Sequence, residues 1–289
     1  MDREVWRILT AAVRSADRRV LRMGRRPQYS DQLIVRMYLW CVWHDRPLCW
    51  ACDREHYHSL FRPLRLPSVS QFCRRMKTAR VQALLEALQG YLTRSETPAQ
   101  LSFLDGKPLS VSFCSHDPDA RVGYATTGFA RGYKLHALAS SDGRILRHAL
   151  RPMNEGEAKV ARDFAGDDVG RWVLADANYD TKNLYQAFGA YDVQLLTPLK
   201  RIAVHSGPLR RMGPHRRFAI WLYQQSSTGY QALLDRRDEM ERIFSRVTCF
   251  GGGLAPLPAW VRRLDRVTRW VTAKIAIYHA RLRYRRLAS

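Results

Sequence analysis

Three acids in this sequence stand where carboxylates can do phosphate chemistry. Asp105 interrupts the apolar run at residues 101–104, and Asp176 ends the run at 172–175 in the stretch VLADANYD, residues 173–180. Glu241 lies in DRRDEMERIFSRV, residues 235–247, whose helical period gathers Met240, Ile243, Phe244 and Val247 on one apolar face. In an open α/β sheet, ligands collect at the carboxyl ends of strands. Two Asp at such ends, with a Glu reaching in from a helix, supply hard oxygen ligands for two divalent cations. Two such ions, roughly 3.5–4 Å apart, clamp the attacking and leaving oxygens of an in-line phosphoryl displacement. That chemistry needs a water or hydroxyl nucleophile and cations on the flanking phosphates, but no side-chain nucleophile. Each acid also has a plainer reading. Asp105-Gly106 can be a turn, Asp176 a cap on the next helix, and Glu241 a surface partner of Arg237 four residues earlier. The chemical reading rests on the combination.

The elements that must position these acids follow from periodicity. LSFLDGKPLSVSF, residues 101–113, reads as two strands turning at Gly106-Lys107-Pro108. Residues 132–150 read as a hairpin turning at Ser141-Asp142-Gly143. A helix at 154–166, a strand at 171–176, a helix at 181–191 and a strand at 193–200 come next, then the helix carrying Glu241. This order predicts a mixed sheet with helices on its faces. Before residue 95 the period is helical. Residues 3–15 and 30–44 read as amphipathic helices, with Ser30 capping the second, and helix continues from Pro47 to about residue 60. Ser68-Val-Ser-Gln71 matches a capping box, opening a helix that presents Arg74, Arg75 and Lys77. SETPAQ, residues 95–100, reads as the linker. The expected division is a helical DNA-binding region over 1–97 and a catalytic domain over 98–289 that ends in a long basic helix.

Charge narrows the partner. The 289 residues carry a formal net charge of +22. Residues 1–100 hold 18 Lys and Arg against 9 acids, residues 200–289 hold 19 against 5, and the centre between them holds 11 against 12. Two basic segments flanking a neutral, Asp-rich centre are the footprint of a polyanion binder. Arg210, Arg211, Arg216 and Arg217 form a basic stretch before the Glu241 helix, suited to tracking a DNA backbone. Lys134 and His136 alternate on a strand and share a face. There Lys134 can hold a phosphate, while a satisfied, partly buried ring is the preferred reading of His136. Residues 260–286 read as a helix with an apolar stripe of Trp260, Leu264, Val267, Val271 and Ile275 and an Arg-rich face turned to DNA. The six cysteines are scattered, and Cys49-Trp-Ala-Cys52 stands alone, so buried helical thiols are preferred over zinc. The N-terminal MDREVWRILT is a charged helix rather than a secretory segment, and IVRMYLWCVW is too short to span a membrane. A reducing, cytoplasmic compartment is expected.

The motifs FLDGKPL at 103–109, RGYKLHA at 131–137, VLADANYD at 173–180 and RRDEMERIFSRV at 236–247 occur in an order that resembles the DDE transposases of bacterial insertion sequences. WHDRP at 43–47, WACD at 50–53 and LPSVSQFCRRMK at 66–77 extend the resemblance. It implies an α/β fold with an RNase H-like mixed-sheet catalytic core and Asp105, Asp176 and Glu241 as the catalytic and metal-binding acids. It also implies Arg237 at the DNA, two Mg²⁺ or Mn²⁺ ions as cofactor, and cutting and joining of transposon ends. Asn178 stands where the family's second motif usually has Gly, and Asn is the residue best able to replace Gly at positive φ. Leu234 and Thr248 stand where the family often has Tyr and Lys. The expected partner is double-stranded DNA, bound by a homodimer or larger assembly, with no membrane. A metal-dependent nuclease of the same fold, and a non-catalytic DNA-binding derivative, are the alternatives.

Overall fold

The computed structural model describes residues 2–21, 27–95, 99–126, 128–200, 213–249, 253–254 and 257–288. The chain divides into two compact units, residues 1–94 with 246–289, and residues 95–245. Of the expected linker, residues 96–98 lie outside the described residues.

The first unit is helical. Its elements are α1 (Asp2–Asp17), α2 (Asp31–Trp43), α3 (Val69–Met76), α4 (Ala79–Leu92) and α10 (Leu264–Ala288). Ser30 caps α2 by accepting from the Leu33 amide, and Ser68 with Gln71 closes both halves of the capping box on α3. Residues 47–60 depart from the predicted helix. They form two 3₁₀ turns, Leu48–Cys52 and Arg54–His56, separated by Asp53 in an extended conformation. The His56 ring takes the Trp50 carbonyl at 2.7 Å, which holds that break. Cys49 is therefore exposed and Cys52 half-buried, whereas Cys41 is buried.

The C-terminal helix belongs to this unit rather than to the domain beginning at residue 98. α10 packs against α1, α2 and α4. Every residue from Trp270 to Ala280 is buried, so the middle of α10 has no solvent face and its basic residues project only from the two ends. The expected one-sided stripe is replaced by a helix surrounded by others. Lys274, fully buried, meets Asp45 at 3.4 Å, and Asp45 takes a left-handed φ of 56°. Among the described residues no helix is long and apolar enough to cross a membrane.

Charge also fastens α2, α3 and α4 together. Arg75 pairs with Asp31 and donates to the Tyr29 carbonyl. Arg80 reaches Asp31 at 2.5 Å, Asp17 at 2.7 Å and the Val20 carbonyl at 2.8 Å. Asp17 and Asp31 are buried.

The second unit holds a six-stranded sheet: β1 (Leu101–Val111), β2 (Arg121–Ala125), β3 (Gly128–Ser140), β4 (Ile145–Pro152), β5 (Trp172–Ala175) and β6 (Gln194–Leu196). The order is β2-β3-β1-β5-β6, with β4 also paired to β3. β1 runs antiparallel to β3 and parallel to β5, and β5 parallel to β6. Helices α5 (Glu157–Ala161), α6 (Lys182–Gly189), α7 (Pro214–Gln225), α8 (Ser227–Asp235) and α9 (Asp238–Thr248) complete it, α9 running into the first unit's segment. This is the predicted α/β mixed sheet, and the hairpin between β3 and β4 turns where expected.

Residues 101–111, expected as two strands, are one continuous strand. Pro108 pairs across to Lys134 beyond Leu104, where the ladder with β5 stops. β1 there has a neighbour on only one side, the placement that prolines take within sheets. Close approach of β3 requires Gly132, which has φ 157° and whose added Cβ would lie 2.2 Å from the Leu109 carbonyl oxygen.

Replacing Arg80 with Ala leaves two buried carboxylates without their shared cation. We expect a loss of about 3 kcal/mol of stability, read by chemical denaturation of the full chain. Arg74→Ala, on the exposed side of the same helical pair, is expected to leave stability within about 0.5 kcal/mol of wild type.

Candidate active site

The parallel ladder between β1 and β5 decides where the two aspartates meet. Its last pair is Leu104 with Ala175. One residue further along each chain segment come Asp105 and Asp176, near enough for the Asp176 charge to act on Asp105. Both are half-buried. Removal from water is the largest influence on Asp105 and raises its pKa, to about 6 in total; the Gly106 amide opposes the rise, Asp176 and Glu157 reinforce it, and Arg237 opposes it. The Gly106 amide donates to Asp105 Oδ1 at 2.7 Å.

Asp176 is also the cap that the plainer reading proposed. It accepts from the Asn178 amide at 2.7 Å and opens a 3₁₀ turn, Ala177–Tyr179. Asn178 lies inside that turn and is not among the residues with positive φ. The position therefore does not demand glycine, and the Asn side chain instead donates to Asp176 Oδ2 at 3.3 Å. Asp180, four residues after Asp176, has a fully buried side chain. It accepts from Arg216 at 2.9 Å and from the Lys200 amide at 2.7 Å, tying the start of α7 to the end of β5.

The other predicted residues separate into two groups. Arg237, in the turn before α9, lies within electrostatic reach of Asp105 and Tyr179. Arg74 and Arg217 are exposed. Arg75 and Arg216 are held by Asp31 and Asp180, so their guanidiniums have internal partners. Arg210 and Arg211 lie outside the described residues. Glu241 is exposed on the first turn of α9. Among the described residues no three His, Cys, Asp or Glu side chains are grouped closely enough to hold one metal ion.

A fourth acid, not read from the sequence, stands at the Asp105 step. Glu157 Oε1 accepts from Lys134 Nζ at 2.6 Å, and both side chains are mostly buried. A Cβ on Gly106 would lie 3.1 Å from Lys134 Cδ and 3.2 Å from Glu157 Oε1. The sequence signal was faint, an acid five residues after a strand end, and only the β3–β4 register brings it to Lys134.

Among the described residues of this unit, two buried polar side chains lack hydrogen bonds. Tyr179 is fully buried with its hydroxyl unpartnered, and its pKa is raised first by burial and then by Glu157, Asp105 and Asp176. His136, opposite Gly106, is fully buried with neither ring nitrogen partnered, so it is not the satisfied histidine expected. Burial, then the Lys134 and Arg151 charges, lowers its pKa to about 4.

A family model described as a transposase DDE domain matches residues 96–278. The chain belongs to this transposase family. Its match takes in Asp105, Asp176 and Glu241 together, and a family of this kind implies a nuclease or transposition enzyme that uses divalent metal ions. None of the curated proteins matches the chain. Among solved structures it is similar to a piggyBac transposase in a cryo-EM synaptic complex with hairpin DNA, at 11% identity and a TM-score of 0.44. That similarity covers 99% of this chain and 66% of the other, so the chain spans just under two thirds of its length.

Two outcomes follow from this geometry. Between pH 6.5 and about 4 the unfolded chain binds a proton at His136 that the native chain refuses. Stability therefore falls as pH drops through that window, by up to about 1.4 kcal/mol per unit from this group. His136→Leu is expected to flatten the slope of unfolding free energy against pH relative to wild type. Gly106→Ala pushes a methyl against Lys134 and Glu157, and we expect DNA cleavage to fall by about tenfold to a hundredfold, with the far-ultraviolet circular dichroism spectrum unchanged.

Proposed function

We propose that this chain is a DNA transposase of a bacterial insertion sequence that cuts and joins its element's ends at a metal-dependent site built on Asp105, Asp176 and Glu241. The observation that carries the reading is the pair of aspartates one step beyond the last β1–β5 ladder pair, in a chain of the DDE family. The sheet order supports an RNase H-like core.

The residues present fit a divalent cation in a specific way. Asp105 is partly desolvated beside Asp176, a like charge, and the buried Tyr179 hydroxyl has no partner. An ion with hard oxygen preferences relieves both conditions. Asp105 and Asp176 would hold Mg²⁺ or Mn²⁺, and Glu241 would complete a two-ion site from the exposed face of α9. The bound ions supply charge neutralisation at the phosphate and a more acidic nucleophile.

The remaining work belongs to the chain's own cations and scaffold. Arg237, beside Asp105, is placed to hold a non-bridging phosphate oxygen, as its guanidinium offers a planar fork. Asp180 fixes Arg216, and with it the start of α7, so the turn after Asp176 is braced from behind. In the first reaction water displaces one side of a phosphodiester at the element end and leaves a 3′-hydroxyl. In the second, that hydroxyl attacks a target phosphodiester, and one new bond replaces the one broken. Exposed basic residues, Arg74 and Arg217 among them, would contact double-stranded DNA. Two ends joined in concert call for a homodimer or larger assembly. Action on the bacterial chromosome fits a cytoplasmic, nucleoid-associated location.

The test uses labelled DNA carrying the element's ends with a supercoiled target, in Mg²⁺ or with chelator. Wild type should give joined product in Mg²⁺ alone, and Asp105→Ala and Asp176→Ala should each abolish it. Cleavage without joining would make the chain a nuclease. Binding without cleavage, indifferent to either substitution, would reduce Asp176 to the cap of its turn.

A further inference from the structure

Glu157 is the carboxylate that the fold delivers to the aspartate pair. β4 ends at Pro152, opposite Tyr133, and Arg151 pairs with Lys134. The chain then turns through residues 153–156 and begins α5 at Glu157, alongside β3 and the 3₁₀ turn that carries Tyr179. Glu157 Oε1 is taken by Lys134 at 2.6 Å and lies against Gly106, the residue after Asp105. Among the described residues its Oε2 has no hydrogen bond. A surface glutamate would gain nothing from this placement, because burying an ion pair costs more than exposing one.

A second, independent observation points to a missing partner. Tyr179 is fully buried in the same place, within electrostatic reach of Glu157, Asp105 and Asp176, and its hydroxyl touches none of them. A buried, unpartnered O–H within electrostatic reach of three carboxylates calls for a polar partner in the same place.

We propose that Glu157 joins Asp105 and Asp176 as a ligand of the divalent cation, with Lys134 standing in as its counter-charge until the cation arrives. This rests on the reading above that the aspartate pair takes such an ion. As they stand the three acids are not gathered tightly enough to share one ion, because Glu157 is turned to Lys134. Binding draws Glu157 off the ammonium, and the released Lys134 becomes available to a phosphate oxygen.

The experiment titrates the full-length chain with Mn²⁺, reading free Mn²⁺ by electron paramagnetic resonance, with no DNA and no turnover. Wild type is compared with Glu157→Gln, Glu157→Asp and Asp176→Ala, and melting temperatures are taken in chelator. We expect Glu157→Gln to weaken Mn²⁺ binding about tenfold or more, with its melting temperature retained because Gln still accepts from Lys134. Glu157→Asp should recover part of the affinity. Wild-type affinity in Glu157→Gln, with weakened affinity in Asp176→Ala, makes Glu157 only a structural partner of Lys134 and overturns the proposal while the aspartate reading stands. Wild-type affinity in both overturns the two together. Should Glu157→Gln melt early, the Lys134→Met/Glu157→Gln double variant removes both charges, and its Mn²⁺ affinity decides in the same way.

Discussion

The sheet-bearing unit is organised around a parallel ladder that stops. β1 and β5 pair for four residues and part after Leu104 and Ala175. Had the ladder continued, the backbone groups at Asp105 and Asp176 would be spent on each other and β1 could not carry Pro108. Because it stops, two carboxylates are left partly out of water, and β1 is unpaired there on its β5 side while it stays paired to β3. The Gly106 amide supports Asp105 and the Asn178 amide supports Asp176. Mutual repulsion and desolvation are thus built into the strand ends, and the surroundings answer with Arg237, Lys134 and a buried tyrosine.

That constraint explains which parts of the site were legible in the sequence. Asp105 and Asp176 announce themselves because each ends a short apolar run, the signature of a strand buried on both faces. The register needed to bring them together is also implied, since both runs have the same length before the acid. Glu157 carries no comparable signature. Its position depends on where β4 ends relative to β3, a long-range pairing that local periodicity does not encode. Glu241 is placed by helical period and by the motif resemblance. Period fixes the face of a helix, not the direction in which that face looks, and the structure leaves this residue exposed.

The helical unit shows the same division. The caps at Ser30 and Ser68 were readable because capping is local chemistry between residues three apart. The end of the chain was not. α10 was read as amphipathic because a stripe exists in its sequence, but Lys274, Thr272 and His279 fall between the apolar residues and are buried with them. A helix enclosed by α1, α2 and α4 tolerates such residues only where partners are provided, and Asp45 provides one in a strained left-handed conformation. Periodicity could not reveal that a partner 229 positions earlier in the chain had been prepared.

Charge links the two scales. The sequence reads as a polyanion binder, yet several of the residues first assigned to DNA are occupied internally. Arg75 bridges helices, Arg216 braces a turn and Lys134 holds a carboxylate. The basic excess nonetheless persists. With 48 basic residues against 26 acids, pairing every acid still leaves 22 positive charges without one. What changes is which residues carry the interaction. Buried pairs set geometry and are little screened by salt, whereas exposed arginines such as Arg74 and Arg217 are the ones that, under the proposed reading, would set affinity and be screened by it. A basic protein of this kind therefore uses one residue type for two purposes, and only burial separates the arginines that shape the site from those that bring it to a polyanion.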